Sequence, residues 1–257
     1  MFVLISPAKT LDFKTKAGTT LSSNPVFQKE ANQIAGILKK LSQQELAQLL
    51  HVNPNLAELN FNRFQVWQKK PDAAVLKQAI LAFKGDVYLG LKAENFKAAD
   101  FDFAQQHLRI LSGLYGVLKP LDFIQPYRLE MGTELENRSG KNLYEFWGDK
   151  ITEQVKKDMK SLGTKTIINL ASKEYFKSLH VKKLGADIIT PNFKEFKEGK
   201  YIFMSVFGKK ARGLMSRFII KNQITNPEQL KLFDEEGYFY NDQLSKGNEW
   251  VFTRENR

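Results

Sequence analysis

Apolar and polar positions follow two spacings along this chain, and each predicts a different element. Short, largely apolar runs, Phe2 to Ile5, Lys165 to Leu170, Ala186 to Thr190 and Tyr201 to Phe207, have the length and flanks of strands. Phe27, Ala31, Ile34, Ile37, Leu38 and Leu41 recur at helical spacing within Pro25 to Leu41, and Ser42-Gln43-Gln44-Glu45 then offers a capping box for a second helix. Asn60 to Gln68, Ala73 to Phe83, Ala98 to Leu108, Asn142 to Lys160 and Ala211 to Asn222 read as further helices, with Pro71-Asp72 as a break. Ile80 to Phe83 reads equally as a helix end or a short strand, because periodicity alone does not assign a brief apolar run. Phe193 to Lys200 suits a hairpin connection, and Phe233 to Phe252 a short aromatic strand pair.

This order of elements predicts an α/β or α+β fold, with a mixed β-sheet flanked by helices. There is no repeat of fixed period and no Gly/Ser-rich or Pro-rich linker, so residues 1–257 are expected to form one domain. The polar stretch Leu11 to Asn24, rich in Thr, Lys and Ser, reads as a surface loop able to act as a flap.

Three polar or basic strings each follow an apolar run: Ser6-Pro7-Ala8-Lys9-Thr10, Ala171-Ser172-Lys173-Glu174-Tyr175 and Gly208-Lys209-Lys210-Ala211-Arg212. In an open α/β sheet ligands bind outside the carboxyl ends of the strands, so strings far apart in sequence can supply one crevice.

Charge narrows the partners of such a crevice. Lys and Arg number 39 against 28 Asp and Glu, a formal charge of +11, which favours polyanions by steering and counterion release; a generally basic soluble surface has the same balance. The absence of cysteine excludes disulfides, thiolate nucleophiles and thiolate metal sites. His51, His107 and His180 fall in no metal or catalytic motif, so no metal and no cofactor is expected. No apolar run is long enough to cross a bilayer, and Phe2 to Ile5 lacks the flanks of a signal peptide; a cytoplasmic protein without a membrane partner is expected.

Each candidate string carries two readings. Ser6, Lys9 and Thr10 can present hydroxyls, amides and an ammonium to a phosphate, or form an ordinary turn; the glycines of a Walker loop are missing. Gly113 and Gly116, followed by Lys119, suggest either a glycine hairpin between two helices that holds a DNA phosphate or a buried turn fixed by glycine geometry. In Gln125 to Gly132, Arg128 and Glu130 share a side if the segment is extended, as a salt bridge or as a phosphate ligand beside a general acid or base. Ser172 is placed to cap a helix or, with Lys173 and Tyr175, to receive an anion. Lys209, Lys210 and Arg212 open a helix against its dipole, a cost that an anionic ligand would offset.

Taken together, Leu4 to Asp12, Ala82 to Tyr88, Leu111 to Leu121, Gln125 to Gly132, Asn169 to Phe176 and Lys210 to Ile220 resemble the YaaA family of bacterial peroxide-stress proteins, over a span reaching Phe252. The resemblance implies a cytoplasmic protein that helps cells withstand hydrogen peroxide and is associated with limiting free iron and oxidative DNA damage. It also implies a basic DNA-binding cleft with a helix-hairpin-helix-like element, which would fall at Leu108 to Leu121. No reaction follows from it.

Two functional classes result. In the first, a DNA-binding stress protein, Lys9, Lys84, Arg128, Lys173, Lys209, Lys210 and Arg212 contact phosphates without reading sequence. In the second, an enzyme acts on a nucleotide or nucleic-acid base, with Glu130 or Glu174 as acid or base and Tyr175 stacking or hydrogen bonding. Iron handling or protein interaction is a third option.

Overall fold

The computed structural model describes residues 1–255. Its main sheet is built on the apolar runs. Phe2–Ile5 is buried along its whole length and pairs in parallel with Leu108–Ser112 on one side and Thr166–Leu170 on the other. Strands covered on both faces lose the apolar/polar alternation, which is why Phe2–Ile5 is apolar at every position. Thr166–Leu170 continues in parallel to Asp187–Lys197, and that strand to Glu249–Arg254. Antiparallel strands close the ends: Gly116–Leu118 beside Leu108–Ser112, Phe239–Tyr240 beside Glu249–Arg254, and Lys200–Ile202 beside the end of Asp187–Lys197. The fold is therefore mixed α/β, with helices flanking a mixed sheet.

Helices follow the spacing of their buried residues. Gln28–Leu38 buries Ala31, Ile34, Ala35 and Leu38, and Lys150–Leu162 buries Ile151, Val155 and Met159 before Gly163 ends it in the left-handed region. The Ser42/Glu45 capping box opens Gln43–Leu50, the Glu45 amide donating to the Ser42 hydroxyl and the Ser42 amide to Glu45 Oε2. Among the described residues no helix is long and apolar enough to cross a membrane.

Several elements differ from the sequence reading. Asn142 to Lys160 is two helices, Leu143–Trp147 and Lys150–Leu162, because Gly148 adopts φ +48 between them. Ala73 to Phe83 is not one helix: a 3-10 turn and the strand Lys77–Gln78 precede a single turn, Ala79–Ala82, which runs into the strand Phe83–Lys84. The Tyr201 to Phe207 run divides, its first residues ending the strand Lys200–Ile202 and its last opening the helix Ser205–Lys221. Leu108 to Leu118 is a β-hairpin rather than a glycine loop between two helices, with Ser112 paired to Gly116 across the turn.

The loop after Leu11 is strapped down. The buried Lys77 ammonium donates to the carbonyls of Asp12 and Thr15, both at 2.7 Å, and the Gln78 amide donates to those of Thr19 and Leu21.

Candidate functional site

Phe2–Ile5 lies between Leu108–Ser112 and Thr166–Leu170, and the chain leaves all three strands at the same edge of the sheet. The loops there are tied together. The Ser172 amide donates to Ser6 Oγ at 2.9 Å, and the Tyr88 hydroxyl donates to the Ser6 carbonyl at 3.1 Å. Thr10 pairs with Lys84, and Gly85 brings its backbone close to Ala8.

The helix Ser205–Lys221 joins this edge through a glycine crossing with Asp86–Leu91. Gly213 lies against the Val87 carbonyl and Gly90 against the Lys210 carbonyl, positions where a β-carbon would collide with backbone. The crossing carries Lys209 and Arg212 to the side of Lys84 to Val87.

The result is a cleft of about 430 Å³ lined by Ser6, Lys9, Thr10, Lys84, Asp86, Glu130, Ser172, Glu174, Tyr175, Lys209 and Arg212 among others. The three strings singled out in the sequence thus meet. Arg212 is half-buried, and burial alone pushes its guanidinium below the ordinary value; it has no hydrogen-bond or ion-pair partner for its side chain among the described residues. Lys209 beside it is exposed. The Lys84 ammonium stands 4.0 Å from Asp12.

The opposite wall is acidic. Glu130 Oε1 takes Lys9 Nζ at 3.1 Å and Arg128 Nη2 at 3.2 Å, whereas Glu130 Oε2 is buried with no hydrogen-bond partner among the described residues. Glu174 Oε1 accepts from the Gly132 amide at 2.9 Å. Lys9, Glu130 and Glu174 also border a second groove of about 770 Å³, whose remaining charged lining includes Glu45 and Glu134. The lining therefore alternates in sign and is not uniformly basic.

Three buried phenols stand under this edge. Burial pushes Tyr88, Tyr127 and Tyr175 above the ordinary tyrosine value, so each stays protonated at neutral pH and none serves as a base. Tyr127 shares a 2.6 Å hydrogen bond with Ser112 at the end of its strand.

Other sequence candidates lie elsewhere. Arg128 stands behind Glu130 and is outside the lining of the cleft. Lys173 is exposed on a single helical turn outside the lining. Lys210 turns away to Glu236, 2.6 Å distant. Gly113 is buried beneath the carbonyls of Leu129 and Glu130, and Gly116, at φ +69, packs on the Trp147 ring. Both glycines serve packing and a turn, and their hairpin offers no open loop to a phosphate. Lys119 follows a strand that runs antiparallel to Leu108–Ser112, which carries it toward the far edge of the sheet. Asp86, Gly90 and Gly213 belong to the site and escaped sequence reading; small residues in facing helices are a signal only once the helices are known to cross.

Comparison with known proteins gives two findings. A family model described as "Peroxide stress protein YaaA" matches residues 1–244. A UPF0246 protein of Teredinibacter turnerae (strain ATCC 39867 / T7901) is 55% identical over 254 residues, covering 99% of each chain.

Proposed function

This chain belongs to the YaaA family of peroxide stress proteins, and from that premise we propose that it acts in the cytoplasm by binding DNA, holding phosphates at Lys84, Lys209 and Arg212 without reading sequence. The observation that carries the reading is Arg212, a half-buried guanidinium whose side chain has no partner among the described residues, beside the exposed Lys209. Desolvating a cation without a counter-charge is costly, and an anion at that position removes the cost. The excess of 11 positive charges steers polyanions to such a site. Limitation of free iron and of oxidative DNA damage then follows indirectly, since the chain has no cysteine and only three histidines with which to chelate iron.

Binding of labelled duplex and single-stranded DNA across a salt series tests this. Wild type should lose affinity steeply with salt, and the Lys209→Gln/Arg212→Gln variant should bind more weakly with a slope shallower by roughly 2, since each phosphate contact contributes about 0.9. Equal affinity and equal slope for the two proteins would remove the assignment.

One observation favours a second reading, an enzyme acting on a nucleotide or base with Glu130 as acid or base: Glu130 Oε2 is buried and has no hydrogen-bond partner. Under it, Glu130→Gln abolishes product formation and leaves binding intact.

A further inference from the structure

We infer that the cleft takes one nucleotide unit end-on, its phosphate at Lys209 and Arg212 and the donor groups of its base and sugar at Glu130 and Glu174. The inference rests on the phosphate-binding reading above and adds the identity and direction of the ligand.

Three features carry it. The first is size. About 430 Å³ falls within the roughly 300–1,000 Å³ of small-ligand pockets, room enough for one nucleotide unit.

The second is polarity. Lys84, Lys209 and Arg212 line this cleft but not the adjoining groove, whereas Glu130 and Glu174 stand on the wall that both share. A phosphodiester backbone continuing across that wall would run past Glu130 and Glu174 and then meet Glu45 and Glu134, where like charges repel. A ligand with one anionic end and a far end rich in N–H and O–H groups satisfies both walls.

The third is hydrogen-bond capacity. A carboxylate only accepts, and Glu130 Oε2 has nothing to accept from. Lys9, whose side chain is 66% exposed, is the mobile member of the cluster on Glu130. Its shift toward an arriving phosphate would free one acceptor site on Glu130 Oε1 for a base or ribose donor, while Arg128 keeps the carboxylate in place.

Calorimetric titration of the full chain with inorganic phosphate, deoxyadenosine and deoxyadenosine monophosphate tests the inference, alongside DNA binding measured on the same preparation. The monophosphate should bind at least about tenfold more tightly than either fragment, since each end contributes one or more charge-assisted hydrogen bonds. Arg212→Gln should remove the advantage over the nucleoside, and Glu130→Gln the advantage over phosphate. Competition separates the two sources of the unit: displacement of a labelled single-stranded oligonucleotide by the monophosphate marks a nucleotide within a strand, and binding without displacement marks a free one. Equal affinity for phosphate and monophosphate, unchanged in Glu130→Gln, would overturn the inference. DNA binding without monophosphate binding would overturn it and leave the phosphate reading standing, and loss of both would end both. The wild-type comparison needs no variant, so it decides even if Glu130→Gln fails to fold.

Discussion

Gly213 faces the main-chain carbonyl of Val87 with no space for a side-chain carbon between them. The contact is reciprocated one turn along, where Gly90 faces the carbonyl of Lys210. Two helices that meet backbone to backbone have one depth of approach, and that depth sets how far Lys209 and Arg212 reach across the cleft toward Lys84 and Asp86. Gly213 is thus part of the site although its own atoms offer a ligand nothing.

Gly213→Ala should therefore lower stability by roughly 1–3 kcal/mol, the usual cost of overpacking, and weaken phosphate binding by moving Arg212. Gly36→Ala is the contrast. Gly36 sits inside Gln28–Leu38 with open space where the β-carbon would stand, so alanine should stabilise by roughly 0.5–1 kcal/mol. Urea unfolding of the two variants should shift midpoints in opposite directions; a common sign would refute the crossing argument.

The meeting of the strings after Ile5 and Leu170 was legible, because apolar runs mark central strands and the chemistry follows their ends; the string at Lys209 joins them from within the helix Ser205–Lys221 and not from a strand end. The Arg128/Glu130 pair was legible too, from alternation in an extended segment. The hairpin at Gly113 and Gly116 was not. Its turn glycines look alike whether they serve a phosphate or a tryptophan, and only the packing of Trp147 on Gly116 separates the two. Of the acidic half, Glu130 and Glu174 were legible as candidate carboxylates, whereas Glu45 and Glu134 were not, since only the fold brings them beside Glu130.

Asp12 ties the loop that Lys77 straps. Hydrogen bonds from the Thr15 amide and hydroxyl and from the Lys14 amide, with Lys77 nearby, hold its carboxyl at about 2, below the ordinary 3.8. A depressed carboxyl contributes stability that is complete above its unfolded value and lost as pH falls through its folded one. Asp12→Asn should thus be less stable than wild type at neutral pH, with the gap closing between about pH 4 and pH 2. A gap that persists at pH 2 would contradict the assignment.

Lys77→Met should release the same loop by a different route. It leaves the carbonyls of Asp12 and Thr15 without their ammonium donor. Limited proteolysis should then cut within residues 12–21 faster than in wild type, with the rest of the chain protected to the same extent. A cleavage rate equal to that of wild type would mean that Gln78 alone holds the loop.

Arg109 is buried with its Nε 2.7 Å from Asp158, and its Nη1 also donates to the carbonyls of Gln105 and Leu108. Removing one partner of such a pair leaves a charge buried without compensation, so Asp158→Ala should cost about 3 kcal/mol or more. Arg109 belongs to the strand beside Phe2–Ile5 but lies outside the cleft lining. DNA affinity per folded molecule should be unchanged, which a stoichiometric titration with DNA, normalised to the folded fraction, would check.

Charge number and charge position make different predictions for the remaining cations. If net charge governs binding, then Lys119→Gln, Lys210→Gln and Lys209→Gln each remove one positive charge and should weaken DNA binding equally. If the cleft governs it, they differ. Lys119 stands toward the opposite edge of the sheet, and Lys210 is engaged by Glu236 at 2.6 Å. Lys209 lines the cleft beside Arg212, whose side chain has no partner among the described residues. The salt slope should fall by about 0.9 for Lys209→Gln and stay near the wild-type value for the other two. Three equal slopes would assign binding to the whole basic surface and remove the special place given to Arg212.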